Sequence, residues 1–105
     1  MSEQQLTPQQ QNDDQKFFEY IDAYVALANA HEGNNKGAPQ LVGASLMFAA
    51  ARYNTFLVAR AQNDLESFNG KKEEAKGYFM DQFSKMLDDN WADYGQHFEQ
   101  YRNQK

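Results

Sequence analysis

From Leu41 to Ala61 the chain reads LVGASLMFAAARYNTFLVARA, with fifteen hydrophobic residues in 21, against 41% for the whole sequence. Ala, Leu and Met are strong helix formers, and Gly43 is the only break candidate inside. Val42, Leu46, Ala49, Tyr53, Phe56 and Leu57 recur at the spacing of one helical face. Leu41, Ala44, Phe48 and Ala51 make a second row. A helix apolar around so much of its circumference needs cover on several sides. This stretch is therefore expected to be a central helix with others packed against it.

The flanking segments carry the same period. Phe17, Ile21, Tyr24 and Ala28 form one row, which predicts a first helix from about Asp14 to His31, started by Asn12-Asp13-Asp14. Glu32 to Pro39 reads as a loop, with Gly33 suited to a left-handed cap and Pro39 to the first turn of the second helix. The second helix is expected over about Pro39–Phe68, and Asn69-Gly70 reads as a stop and turn. Ala75, Phe79, Phe83, Met86, Asn90, Tyr94, His97 and Tyr101 then predict a third helix reaching Arg102. No strand pattern is present.

These elements predict an all-α fold: an up-down-up three-helix bundle with a short first helix and a long hairpin of the second and third. The expected organisation is a disordered Gln-rich tail at 1–12, one helical domain at 13–102 and a frayed end at 103–105. The short first helix can wall only half of the hairpin. Phe56, Leu65, Phe79 and Phe83 would then form an interface for a second copy, a homodimer being the simplest way to cover a self-complementary patch.

Charge narrows the function classes. At a net −5, with ten scattered basic residues, nucleic acid is not an expected partner. A membrane span is not expected either: the longest uncharged run is the 15 residues from Gly37 to Ala51, and Arg52 and Arg60 follow. The polar start lacks the apolar run of a secretory signal, and the absence of cysteine is compatible with a reducing cytoplasm. With a turn at Asn69-Gly70, Arg52 falls level with Asp88, and across the first loop with Glu19; Arg60 falls level with Asp81. Structural ion pairs Arg52–Glu19 or Arg52–Asp88, and Arg60–Asp81, are expected, the alternative being an anion-binding arginine in a bundle pocket.

Chemistry is thinly represented. Asp89, Asp93 and His97 lie at i, i+4 and i+8 and make a weak divalent-metal candidate, but no Glu-x-x-His pair accompanies them, and a solvated acidic face is the expected reading. His31 reads as a C-terminal cap of the first helix. The four serines have no histidine neighbour in sequence, and the Gly33–Gly37 loop matches no phosphate-binding fingerprint. No cofactor and no enzymatic activity are expected. The expected function is a non-enzymatic interaction module that self-associates; the alternative is a small-ligand or metal-binding protein with a pocket near Tyr53, Asn54, Trp91 and Tyr94.

Residues 17–31, FFEYIDAYVALANAH, with SLMFAAARYNTFLVA at 45–59 and KKEEAKGYFMDQFSKMLDDNWADYGQHFEQY at 71–101, resemble a family of small bacterial helical proteins known as a domain of unknown function. AAARYN at Ala49–Asn54 is the most specific part. The resemblance implies a bacterial, all-helical, cytoplasmic protein and carries over no catalytic residue or cofactor.

Overall fold

The computed structural model describes residues 7–35 and 38–103, with the side chains of 34 and 35 left undescribed. Five helices form among them: α1 (Pro8–Asn35), α2 (Pro39–Arg60), α3 (Leu65–Gly70), α4 (Lys72–Gln96) and α5 (Phe98–Arg102). The all-α class is as expected, and no strand occurs among the described residues. The first helix is not the short one expected: at 28 residues α1 is longer than α2 at 22 and α4 at 25, because its cap lies at Thr7 and the second helix ends at Arg60. The chain divides into two units, Met1–Phe48 and Ala49–Lys105, taken in turn below.

In the first unit α1 begins earlier than expected, at Pro8, inside the segment expected to be a disordered tail. The cause is a reciprocal cap. The Gln10 backbone N–H donates to Thr7 Oγ1 at 3.1 Å, and the Thr7 N–H donates to Gln10 Oε1 at 2.8 Å. With Pro8 at the first helical position, Thr7-Pro8-Gln9-Gln10 satisfies two exposed amides at once. The remainder of the expected tail, 1–6, lies outside the described residues. At its other end α1 runs to Asn35, so Gly33 is helical instead of capping in the left-handed region, and His31 stands a turn before the helix end. Positions 36 and 37 of the expected loop lie outside the described residues. α2 starts at Pro39 as expected, and Val42 N–H donates to the Ala38 carbonyl at 3.2 Å.

In the second unit the chain turns at 61–64, eight residues before Asn69-Gly70. α2 ends by tightening: Ala61 and Gln62 N–H donate three residues back, to Val58 and Ala59, at 3.1 Å each. Asn63 and Asp64 compete with helix through their side chains. Asp64, extended at φ −153° and ψ 171°, caps α3 by accepting from Ser67 N–H. Asn69 and Gly70 are then ordinary residues of α3. Lys71 joins α3 to α4 in right-handed helical conformation, so the chain passes into α4 without reversing there. A second joint follows at His97, φ −122° and ψ 37°, between α4 and α5. Of the end expected to be frayed at 103–105, Asn103 Nδ2 donates to the Glu99 carbonyl at 2.8 Å, and 104–105 lie outside the described residues.

Half-buried positions in this unit fall at i, i+3, i+4 on α2 (Asn54, Leu57, Val58) and at i, i+4, i+7 on α4 (Ala75, Phe79, Gln82), with Gln62 in the turn, Phe68 in α3 and Tyr101 in α5. Such spacings mark one face of each helix. None of the described residues is fully buried. By length and composition α2 is the one described helix long and apolar enough to cross a membrane, although membrane was not among the expected partners. Arg52 lies in its C-terminal half, and an arginine inside such a span costs about 2.5–3.5 kcal/mol or more.

Candidate functional site

The C-terminal part of the second unit gathers most of the distinctive side chains. Leu87, Asn90, Trp91, Tyr94, Gly95 and Phe98 line an open, mainly apolar groove along α4 and the start of α5. The helical period puts Leu87, Trp91 and Tyr94 on one face, and the joint at His97 brings Phe98 to the groove's end. Trp91, the only tryptophan, is 75% exposed. Asn90 spends its amide on its own helix, Nδ2 donating to the Met86 carbonyl at 2.8 Å. A small-molecule pocket needs several polar groups converging on the ligand. This groove offers few.

Beside it, Asp93, His97, Tyr94 and Tyr101 form a cluster across the α4–α5 joint. His97 Nδ1 lies 3.4 Å from Asp93 Oδ1 and 3.3 Å from the Asp93 carbonyl. The Tyr101 ring lies 4.6 Å from that of Tyr94 and 5.5 Å from that of His97. The Asp93 carboxylate pushes the Tyr101 phenol above its ordinary pKa, with smaller contributions from partial burial, a hydrogen bond to Asp93 and Tyr94. Of the weak metal candidates, Asp93 and His97 are thus brought together and Asp89 is not. Among the described residues no three His, Asp or Glu side chains form a metal-holding group.

The expected pocket walls separate. Trp91 and Tyr94 line the groove, while Tyr53 and Asn54 do not. Asn54 Nδ2 donates to the Ala50 carbonyl at 2.8 Å, and the Tyr53 ring lies 6.2 Å from Phe56. The ion pairs differ from expectation as well. Asp81 pairs with Lys85, one turn along α4, at 3.1 Å, and the Arg60 guanidinium lies 5.4 Å over the Phe56 ring. Within the second unit Arg52 makes no ion pair with Asp88. The physical reason is the turn. Both pairings assume a single turn centred on Asn69-Gly70, whereas the helix breaks at 61–64 and runs on through Gly70 in α3, so the levels set by that assumption do not apply. Glu19, in the first unit, accepts from Gln15 Nε2 at 3.1 Å. Of the expected interface residues, Phe56 is 51% exposed, Leu65 70% and Phe83 51%, and Phe79 is half-buried.

The missed features had local signals. Asn63-Asp64 followed by Leu65 is a cap before an apolar residue, and Thr7-x-x-Gln10 is a capping box.

Fold and surface together define a small all-helical protein with exposed aromatic faces. The chain belongs to the family described as "Protein of unknown function (DUF3144)", which it matches over residues 17–94. It is similar to the solved NMR structure of the protein NB7890A from Shewanella sp, at 36% identity and a TM-score of 0.68, covering 85% of this chain and 94% of that one. No curated protein matches the chain.

Proposed function

We propose that this protein is a non-enzymatic helical interaction module that acts as a homodimer. In this reading α1, α2 and the α3–α4 arm close as an up-down-up bundle, and Arg52 bridges to Glu19 across it. A second copy covers the face carrying Phe56, Leu65, Phe79 and Phe83. One observation carries the reading: the large apolar side chains around the 61–64 turn remain exposed, Leu65 most of all. Large apolar side chains left exposed in this way favour an interface.

Charge makes a second copy a suitable cover. Between Arg60 and Lys85 the chain has five basic residues (Arg60, Lys71, Lys72, Lys76, Lys85) and five acidic ones (Asp64, Glu66, Glu73, Glu74, Asp81). Two copies of a neutral, mixed surface meet without net repulsion, and a two-fold axis lets one patch serve both sides. The absence of cysteine suits a cytoplasmic setting.

Sedimentation equilibrium over a micromolar concentration series tests this. A species of twice 12.1 kDa is expected, reverting to 12.1 kDa on Phe83→Asp. A 12.1 kDa species that persists as concentration rises overturns the dimer.

A further inference from the structure

The two ends of the α3–α4 arm differ in charge. Beyond Lys85 the sequence to Glu99 carries four acidic residues, Asp88, Asp89, Asp93 and Glu99, and no Lys or Arg. This is also where the groove of Leu87, Trp91, Tyr94 and Phe98 lies. At about 100° per residue, Asp88 falls on one flank of the groove and Asp93 on the other. Lys85 is already held by Asp81 at 3.1 Å, and the Arg102 guanidinium stands 5.9 Å over the Phe98 ring at the far end. The rim is therefore negative along the Leu87–Tyr94 stretch, flanked by Asp88 and Asp93.

From this geometry we infer that the Leu87–Phe98 groove binds a basic amphipathic helical segment of another protein. Its apolar side would lie on Trp91, and its Lys or Arg side chains would meet Asp88 and Asp93. Helix-in-groove recognition of this type uses apolar anchors at i, i+3/i+4 and i+7, with flanking charge for orientation. The inference rests on reading the chain as an interaction module, but not on its self-association.

Charge and length exclude the nearer occupants. A second copy of this end would bring its own four carboxylates against these. α1 is acidic as well, with Asp13, Asp14, Glu19, Asp22 and Glu32 against Lys16 alone. α4, at 25 residues, already outruns the 22 of α2, and α5 adds five more. In the proposed bundle the Tyr94–Phe98 end of the groove therefore projects past the end of α2. An anionic lipid surface would be repelled by the same rim.

Trp91, as sole tryptophan, reports on the groove directly. The full chain is titrated with a Leu/Lys amphipathic helical peptide of about 18 residues, five turns. A Leu/Glu peptide of the same apolar pattern, zwitterionic vesicles and anionic vesicles serve as the other arms. The expected result is a saturable blue shift of Trp91 emission with the Leu/Lys peptide alone, weakening roughly tenfold between low and physiological salt as exposed charges are screened. Asp88→Lys should weaken binding by about tenfold or more, and Leu87→Ala should weaken it with the charge intact, both with helical circular dichroism retained. An equal response to both peptides overturns the inference, as does a shift with either vesicle. So does emission already blue in the free chain and indifferent to peptide, which would mean that the chain covers its own groove. A shift with protein concentration alone assigns the groove to a second copy and also overturns it. Sedimentation in the same buffer reports self-association separately, so the two proposals fail by different observations.

Discussion

Asp64 Oδ1 accepts a hydrogen bond from the Ser67 backbone N–H at 2.8 Å, and that contact decides where the second half of the chain turns. It satisfies one of the free amides at the start of α3 and places a carboxylate at the positive end of the helix. The Ser67 hydrogen bonds hold the Asp64 carboxyl below its ordinary pKa.

Asp64→Ala should therefore lower the thermal midpoint and helicity, while Asp64→Asn, which keeps the accepting oxygen, should retain most of both. The sign of the pH effect follows from the lowered pKa. The charged cap contributes stability above the ordinary carboxylate range and loses it as pH falls through the depressed folded-state value. Thermal melts of wild type and Asp64→Ala should converge in strong acid. A gap that stays constant with pH would mean that the carboxylate charge contributes nothing.

Gly70 sits in α3 with no left-handed backbone and nothing within 4 Å of where a Cβ would stand. Gly70→Ala should stabilise the protein by about 0.5–1 kcal/mol in urea melts, since Ala costs less entropy in helix. Gly77→Ala, equally open inside α4, should behave alike. A loss of stability at Gly70 would restore the Asn69-Gly70 turn.

Tyr101 should be the last of the six tyrosines to ionise in an absorbance titration, because the Asp93 carboxylate opposes its phenolate. Asp93→Asn should bring it back among the others. Raised in the folded state, this group contributes stability below its unfolded pKa and loses it as pH climbs through the folded value, so the effect belongs to strongly alkaline pH. Six tyrosines titrating together in wild type would contradict the α4–α5 contact.

Arg60→Met removes a cation held 5.4 Å over the Phe56 ring, at an exposed site. Denaturant melts should show a loss of about 0.5–1 kcal/mol, the range for an exposed cation–π contact. A loss several times larger would mean that Arg60 has a buried carboxylate partner after all.

How far the sequence reaches can be judged at these residues. The apolar period from Phe17 to Tyr101 was sufficient for an all-helical chain, because a 3.6-residue repeat is a property of the covalent order alone. Pro39 and Lys71-Lys72 mark helix starts to within a residue, since proline and first-turn charge act locally. The turn at 61–64 is also local, but Asn69-Gly70 is the stronger turn dipeptide. Two short signals compete there, and the Asp64–Ser67 hydrogen bond settles which is used. Of the candidate pocket, Trp91 and Tyr94 were legible as one helical face with Leu87 and Phe98, but the opposite wall at Tyr53 and Asn54 was not. Leu87 and Phe98 share that period, and only the absence of Tyr53 and Asn54 from the groove needed the structure to show it. The sequence by itself determined which residues are apolar and on which side of each helix they stand. Only the three-dimensional structure decided where the helices break. The extended Asp64 and the joint at His97 are backbone conformations that no apolar period specifies, and each moves the residues that can stand level across it.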